Sequence, residues 1–342
     1  MRPLTPKRVA LICAGLGALL FVAAVVSLRI GAYPISVVDI VKTLGSGILG
    51  RWESIPSEHR SIIFDVRLPR ILLGILVGAS LSTAGTGFQA LLRNPLADPY
   101  VLGVSSGAAL GAIIALIAAP HVPGAVQIAA FAGAAATTAA VYFLGRRGGQ
   151  VDSGTLLLAG IIAVSFLSAV IMFLMTTMSG RDMRGMAFWL MGDLASTLPT
   201  NPLPWFEALF FIFIVAGGAI YATSSDLNLI LTGEQEARHL GVNVHRVRLV
   251  VYVAASFLTG LAVSVSGTIG YVGLLVPHVM RMMFGTDYRL LIPTSAIGGA
   301  ILVVVADTLA RSVVSPTELP VGALTALAGA PVFIYLMRRR VR

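Results

Sequence analysis

The chain has 342 residues, 57% of them hydrophobic and only 11% charged, with a mean hydropathy of +0.90 and a formal net charge of +9. Soluble domains carry about a quarter charged residues, so a soluble globular protein is excluded. In a membrane chain the surplus of arginine reports topology rather than nucleic-acid binding.

Apolar blocks of about 20 residues cross a bilayer core of roughly 30 Å as helices. The first is Val9–Leu28, flanked by Arg8 and Arg29. It is longer than the apolar core of a cleaved signal peptide, and "VVSLRIGAY" after it is a poor cleavage site, so it reads as a retained span. Cys13, the only cysteine, lies within it, which excludes an intrachain disulfide and a cysteine-based metal site. Further spans are expected at Ile71–Leu92, Val101–Ala119, Val126–Leu144, Thr155–Ser179, Ala208–Thr223, Leu249–Gly267, Ile269–Met283, Leu290–Leu309 and Val321–Met337. The seventh and eighth are separated only by glycines, in "SGTIGYVGLLVP". About ten membrane helices result, with no soluble domain left over. The expected fold is all-α: one polytopic membrane domain over residues 1–342.

Lys and Arg counts test the topology. With a cytoplasmic N-terminus and alternating spans, 15 of the 24 fall inside, including Arg93, Arg146, Arg238, Arg248, Arg289 and the tail. Nine fall outside, and six of these lie between Arg29 and Arg70. This is the asymmetry of an inner membrane protein with both termini cytoplasmic.

Between the sixth and seventh spans stands "LTGEQEARHLGVNVHRVRLVV", Leu231 to Val251, with a charge density foreign to the rest of the chain. Thr232 and Gln235 have the spacing of a capping box. Gly241 suits the left-handed position that ends a helix, and Glu234 with Arg238 makes a favourable i,i+4 pair. Ala237, Leu240 and Val244 give a narrow apolar stripe. A helix of about two turns, roughly 10 Å long, is marginal alone in water and needs something to dock against. It either lies on its own protein as a loop helix or seats in a cytoplasmic partner.

Absent chemistry narrows the function. Ion-coupled carriers need carboxylates or histidines inside the membrane. The middle of each expected span lacks Asp, Glu, Lys, Arg and His, with Glu207, His278 and Asp307 near span ends. An ion-coupled secondary transporter of a small solute is therefore the weaker alternative. There is no HExxH constellation for a membrane-embedded metalloprotease, and neither Lys7 nor Lys42 follows a glycine-rich phosphate loop. Active transport would need its energy from another subunit.

"GEQEARHLGV" resembles the EAA-type loop of ABC importer permeases, with Glu236, Ala237 and Gly241 at matching positions. "RLPR" (Arg67–Arg70), "ALLRNPLADPYVLGVSSGA" (Ala90–Ala108), "GTIGYVGLLVPHVMR" (Gly267–Arg281) and "ELPVGALTALAGAPVFIYLM" (Glu318–Met337) narrow the resemblance. They are similar to the FecCD-type permeases for iron-siderophore complexes, haem and vitamin B12. That resemblance implies a type II importer permease fold with ten membrane helices, working as a dimer of permeases. Its partners would be a second copy of the chain, two cytoplasmic P-loop ATPases carrying ATP and Mg, a periplasmic substrate-binding protein and membrane lipid. The chain itself would bind no cofactor or metal and have no ATPase site.

By the same resemblance, the segment near 231–248 is a cytoplasmic coupling helix. Thr232, Glu234, Glu236, Ala237, Arg238, Leu240 and Gly241 are then the candidate ATPase contacts. Arg67, Arg70 and Arg311 match arginines that receive carboxylates of the binding protein, a task suited to the guanidinium fork. Snorkelling of Arg67 and Arg70 and pairing of Arg311 with Asp307 one turn away are the competing readings. Asn94 and Leu96 in "RNPLADP" match a cytoplasmic gate, or else a rigid turn, and Ser153 and Thr155 match a second constriction. Glycines at Gly74, Gly78, Gly85, Gly107 and Gly111 have the small-xxx-small spacing of close helix packing.

Overall fold

The structure, a computed structural model, describes residues 5–31, 33–51, 55–147, 150–151, 153–176, 180–195, 203–314 and 317–340. Its helices are, in order, α1 (Pro6–Arg29), α2 (Val37–Ile48), α3 (Ser57–Arg60), α4 (Leu68–Leu91), α5 (Val104–Ala118), α6 (Ala125–Leu144), α7 (Ser153–Met175) and α8 (Gly180–Leu190). There follow α9 (Leu203–Ala222), α10 (Ser224–Thr232), α11 (Glu234–His239), α12 (Val244–Ser266), α13 (Val272–Phe284), α14 (Tyr288–Ser312) and α15 (Val321–Arg340). A π-helical stretch, Ser61–Arg67, carries α3 into α4, and a 3-10 turn, Pro99–Leu102, precedes α5. Arg146–Arg147 and Gln150–Val151 form a two-residue antiparallel ladder.

All ten expected spans coincide with helices: α1, α4, α5, α6, α7, α9 and α12 to α15. Among the described residues, α1, α6, α7 (from Gly154), α12 and α14 are long and apolar enough to cross a membrane by themselves. The α9–α10 pair, bent by 40°, makes a sixth. α5, α13 and the described part of α15 are shorter apolar helices.

Two boundaries differ from expectation for backbone reasons. The third span begins at Val104, because Gly103 turns left-handed at φ 77° after the 3-10 turn. The seventh and eighth are separated by a real break, Gly267 to Tyr271, whose ends take φ 65° and 67°. Glycine enters that region freely; tyrosine does so at a steric cost.

α4 is buried along nearly its whole length, including Ser80, Ser82, Thr83 and Thr86. A helix buried all round can carry small polar residues whose hydroxyls bond back to their own turn, as Thr86 does to the Ser82 carbonyl at 2.9 Å. Glycine sets how near its neighbours come. A Cβ on Gly78 would fall inside the Gly299 carbonyl of α14, and one on Gly85 inside the Gly273 carbonyl of α13. Gly107 and Gly111 of α5 meet Gly133 and Ala129 of α6 in the same way. Gly74, by contrast, has only ordinary side-chain neighbours, beginning with Leu194 at 3.5 Å. Without a hydrophobic force between helices in lipid, such backbone contact is the main source of cohesion.

Arg70 lies in the first turn of α4 and Arg93 stands two residues past its end, about 35 Å apart at 1.5 Å per residue. That is slightly more than the roughly 30 Å hydrocarbon core. The pairs of Arg70, Asp307, Arg311 and Glu318 lie at the first level, and those of Arg93, Glu234 and Arg248 at the second.

Candidate functional site

At the Arg93 end the polar helix is α11, six residues long. Its cap differs from the expected box. Thr232 closes α10 instead, its hydroxyl donating to the Leu229 carbonyl at 2.8 Å. Gly233 is the N-cap, at φ 155° and ψ 142°, a conformation essentially reserved for glycine. Glu236 then occupies the third helical position, and its carboxylate folds back so closely that a Cβ on Gly233 would collide with it. The inserted glycine shifts the register of the cap by one residue.

The other end of α11 matches expectation. Gly241 lies at φ 89°. Val242 N–H donates to the Ala237 carbonyl and Gly241 N–H to that of Arg238, both at 3.0 Å. These two bonds define the Schellman stop, with Ala237 and Val242 both buried beside it.

Glu234 does not pair with Arg238. It is held between Arg93, at 3.2 Å, and Arg248 of α12. Arg93 takes φ 50° and donates to the Ile230 carbonyl at 3.0 Å. One carboxylate thus ties α11 to the end of α4 and the start of α12, and Glu234 turns inward instead of outward. The outward surface carries Glu236, Arg238 and Leu240. Leu240 leaves the expected apolar stripe: Ala237 and Val244 are buried, while Leu240 is 66% exposed. Nearby, Asp287 caps α14 and bonds Asn228 at 2.8 Å. The hydrogen bonds from Arg289 hold the Asp287 carboxyl below its usual range, against the opposing effect of partial burial.

The turn after α4 is built from side-chain caps. Asn94 Oδ1 accepts the Leu96 N–H at 2.9 Å, and Asp98 Oδ1 accepts the Tyr100 N–H at 2.8 Å. Pro95 and Pro99 keep helix out of it. Asn94 and Leu96 are exposed there. Thr155 lines an apolar groove between α6 and α7 with Thr137, Leu144 and Phe166, and not the Asn94 turn. Ser153 is the first residue of α7, and its side chain lies outside the described residues.

At the Arg70 end the three candidate docking arginines are not free forks. All three are buried. Arg67 donates to the Leu28 and Tyr33 carbonyls, pinning the end of α1. Arg70 bonds Asp307 Oδ1 through Nε at 2.6 Å and Glu318 Oε2 through Nη1 at 2.7 Å. Arg311 Nε lies 3.1 Å from Asp307 Oδ2, and its Nη2 donates to Ser27 Oγ at 2.7 Å. Snorkelling into solvent is likewise not what these arginines do. The result is an alternating chain, Arg311–Asp307–Arg70–Glu318, in which only Glu318 is substantially open: its side chain is 48% exposed against 5% for Arg70. Sequence reasoning found the Arg311–Asp307 pair and missed Arg70 and Glu318. Nothing in the chain's local spacing links residue 70 to 307 and 318.

A second missed feature is the junction around the Gly267–Tyr271 break. Non-helical backbone at membrane depth must be satisfied by protein. Tyr100 Oη donates to the Ile269 carbonyl at 3.0 Å and accepts the Ile269 N–H at 3.1 Å. Asp193 N–H donates to the Ser266 carbonyl at 2.8 Å, and the Thr268 hydroxyl donates to that of Leu190. Gln89 of α4 bridges the Leu274 carbonyl and Arg281. His278 is central in α13 rather than near its end, because α13 is only a part-span starting beside Gly85. Among the described residues, no group of three or more His, Cys, Asp or Glu is placed to hold a metal ion.

Apolar helices along the chain, with a capped polar helix set between two of them, define a polytopic membrane protein. The chain belongs to the FecCD transport family, which it matches over residues 19–339. It is 43% identical over 286 residues to a cobalamin import system permease protein of Halobacterium salinarum, covering 84% of this chain and 76% of that protein. To a hemin transport system permease protein of Yersinia pestis it is 39% identical over 291 residues, covering 82% and 84%. A solved structure described as an inward-facing conformation of a metal-chelate type ABC transporter superposes with a TM-score of 0.81 and 32% identity, over 96% of this chain and 99% of that one. The chain is thus an ABC-transporter permease of the multi-pass membrane type.

Proposed function

We propose that the chain imports a metal chelate (an iron-siderophore complex, haem or cobalamin) through a pore formed with a second copy of itself. Two cytoplasmic P-loop ATPases power it and a periplasmic binding protein feeds it, and it sits in a bacterial inner membrane with both termini cytoplasmic. The observation that carries this reading is α11: a helix too short to stand alone, stopped by a Schellman turn and tethered through Glu234 to α4 and α12. Such a device passes force from an external partner into the bundle. Glu236, Arg238 and Leu240 present the contact, Ala237 and Gly241 fix its shape, Thr232 ends the preceding helix, and Glu234 transmits. The test is Glu236→Arg and Gly241→Pro: uptake is abolished while the permease still inserts and dimerises. Full ATPase copurification together with normal uptake in both variants would overturn it.

Asn94 and Leu96 form the exit gate in this reading, with Ser153 and Thr155 as the second constriction. Cysteines at 94 and 96, in a Cys13→Ala background, cross-link between the two subunits in the closed state. Docking at Arg67, Arg70 and Arg311 becomes an exchange: a carboxylate of the binding protein takes the place of Glu318 on Arg70. Cargo is settled by titrating candidate chelates against the cognate binding protein.

A further inference from the structure

α2 lies outside the spans, at the Arg70 end of the bundle, and its twelve residues divide into three stripes at helical spacing. The first stripe packs on the protein. Ile40 joins Leu28, Ile35, Ile63, Ile71 and Val304 in a small core, Thr43 is buried, and Gly47 sits against the Phe64 ring. The second stripe is polar: Asp39, Lys42 and Ser46 line a small cavity with Pro56 and His59. Asp39 also anchors the helix start, its N–H donating to the Ser36 hydroxyl at 3.1 Å. The third stripe is apolar and uncovered: Val37, Val38, Val41 and Ile48, with Val41 64% and Ile48 85% exposed.

A helix of about 18 Å with one side on protein and one on water has a third side to explain. We infer that the Val37–Val41–Ile48 face of α2 lies in lipid, at the interface of the leaflet on the Arg70 side. Two observations choose lipid as the occupant. The apolar stripe continues the exposed apolar side of α1, a membrane span whose Phe21, Val22, Val26 and Ile30 run up to the same level. Arg67 fixes that level, because it binds both the Leu28 carbonyl of α1 and the Tyr33 carbonyl just before α2. Lys42 borders the apolar stripe and reaches headgroups from there by snorkelling. An interfacial helix of this kind buries its apolar face about 5–10 Å into the headgroup boundary.

The test uses the full permease in vesicles of phosphatidylethanolamine with phosphatidylglycerol. Single cysteines replace Val41, Ile48, Lys42 and Ser46 in turn, in a Cys13→Ala background, and each is nitroxide-labelled. Accessibility is then measured to oxygen, which partitions into lipid, and to a water-soluble nickel chelate. The oxygen-to-nickel ratio at positions 41 and 48 is several-fold above that at 42 and 46. Equal ratios at all four positions would place the stripe in water and overturn the inference. Labels at 41 and 48 shielded from both reagents would assign the face to a second protein chain, which also overturns it. If one variant fails to accumulate, Val38→Cys reads the same face. None of these outcomes depends on transport, so the result stands whatever becomes of the importer reading.

Discussion

The two ends of α4 hold their charges in opposite ways. At the Arg70 end two arginines and two carboxylates alternate in a neutral, largely buried chain, with Glu318 alone half open. At the Arg93 end one carboxylate serves two arginines, and all three side chains keep contact with solvent, 41% in the case of Arg93. Buried ion pairs cost much to break and little to replace by apolar groups, because removing one partner strands a charge. Solvent-exposed pairs are worth about 0–1 kcal/mol and can open. The first arrangement is a pin and the second a joint.

The largest effect expected from that contrast is at Asp307. Asp307→Asn strips Arg311 of its carboxylate and leaves Arg70 only the half-open Glu318, and it destabilises the permease by about 3–5 kcal/mol, read as a large fall in thermal stability in detergent. Converting Arg70, Asp307 and Arg311 together to apolar residues of similar size restores most of it. A triple variant no better than Asp307→Asn would mean that the charges serve more than structure.

Next comes the rod between the two ends. Gly85→Val drives a side chain into the Gly273 carbonyl, and overpacking of this kind costs about 1–3 kcal/mol or more. Gly74→Val, which meets only side chains, costs less. Equal losses at the two positions would remove the claim that backbone contact fixes α4.

The joint is tested by Glu234→Gln, which changes thermal stability by no more than about 1 kcal/mol yet lowers uptake at least tenfold. Arg93→Gln gives a smaller loss, since Arg248 still holds Glu234. A stability loss as large as that of Asp307→Asn would erase the distinction between the ends. The smallest expected effect is at Glu318. Glu318→Gln leaves melting within about 1 kcal/mol and tightens the hold of the binding protein by freeing an arm of Arg70. Unchanged affinity across salt concentrations would remove Arg70 from the docking surface.

What could be read from the sequence follows the range of the forces involved. The ten spans were legible because bilayer length and apolarity are local properties of each segment. So was the stop at Gly241, which depends on one residue's backbone freedom. The start of α11 was misassigned because Thr232-x-x-Gln235 fits the capping pattern while Gly233, one residue on, takes the cap. Glu234 was matched to Arg238 by helical spacing, although Arg93 and Arg248 come to it from elsewhere in the fold. Arg67, Arg70 and Arg311 stand out as arginines in the sequence, but Arg67 is taken up by the Leu28 and Tyr33 carbonyls, and Arg70 by Asp307 and Glu318, some 240 residues away. Long-range pairing of this kind leaves no periodic trace.

The glycine crossings on α4 have a mechanical consequence. α14 meets this helix backbone to backbone at Gly78 and α13 does so at Gly85, on faces where a rotation of one residue would present Ala79 or Val77, and Ala84 or Thr86, to a carbonyl oxygen. α4 therefore cannot turn about its own axis without parting from both neighbours. It is the stator of the subunit. Under the proposed importer function, torque entering through Glu234 would leave as a tilt of the α4–α13–α14 block against the α5–α6–α7 block, with the left-handed backbone at Gly103, Gly267 and Tyr271 as the natural place to flex.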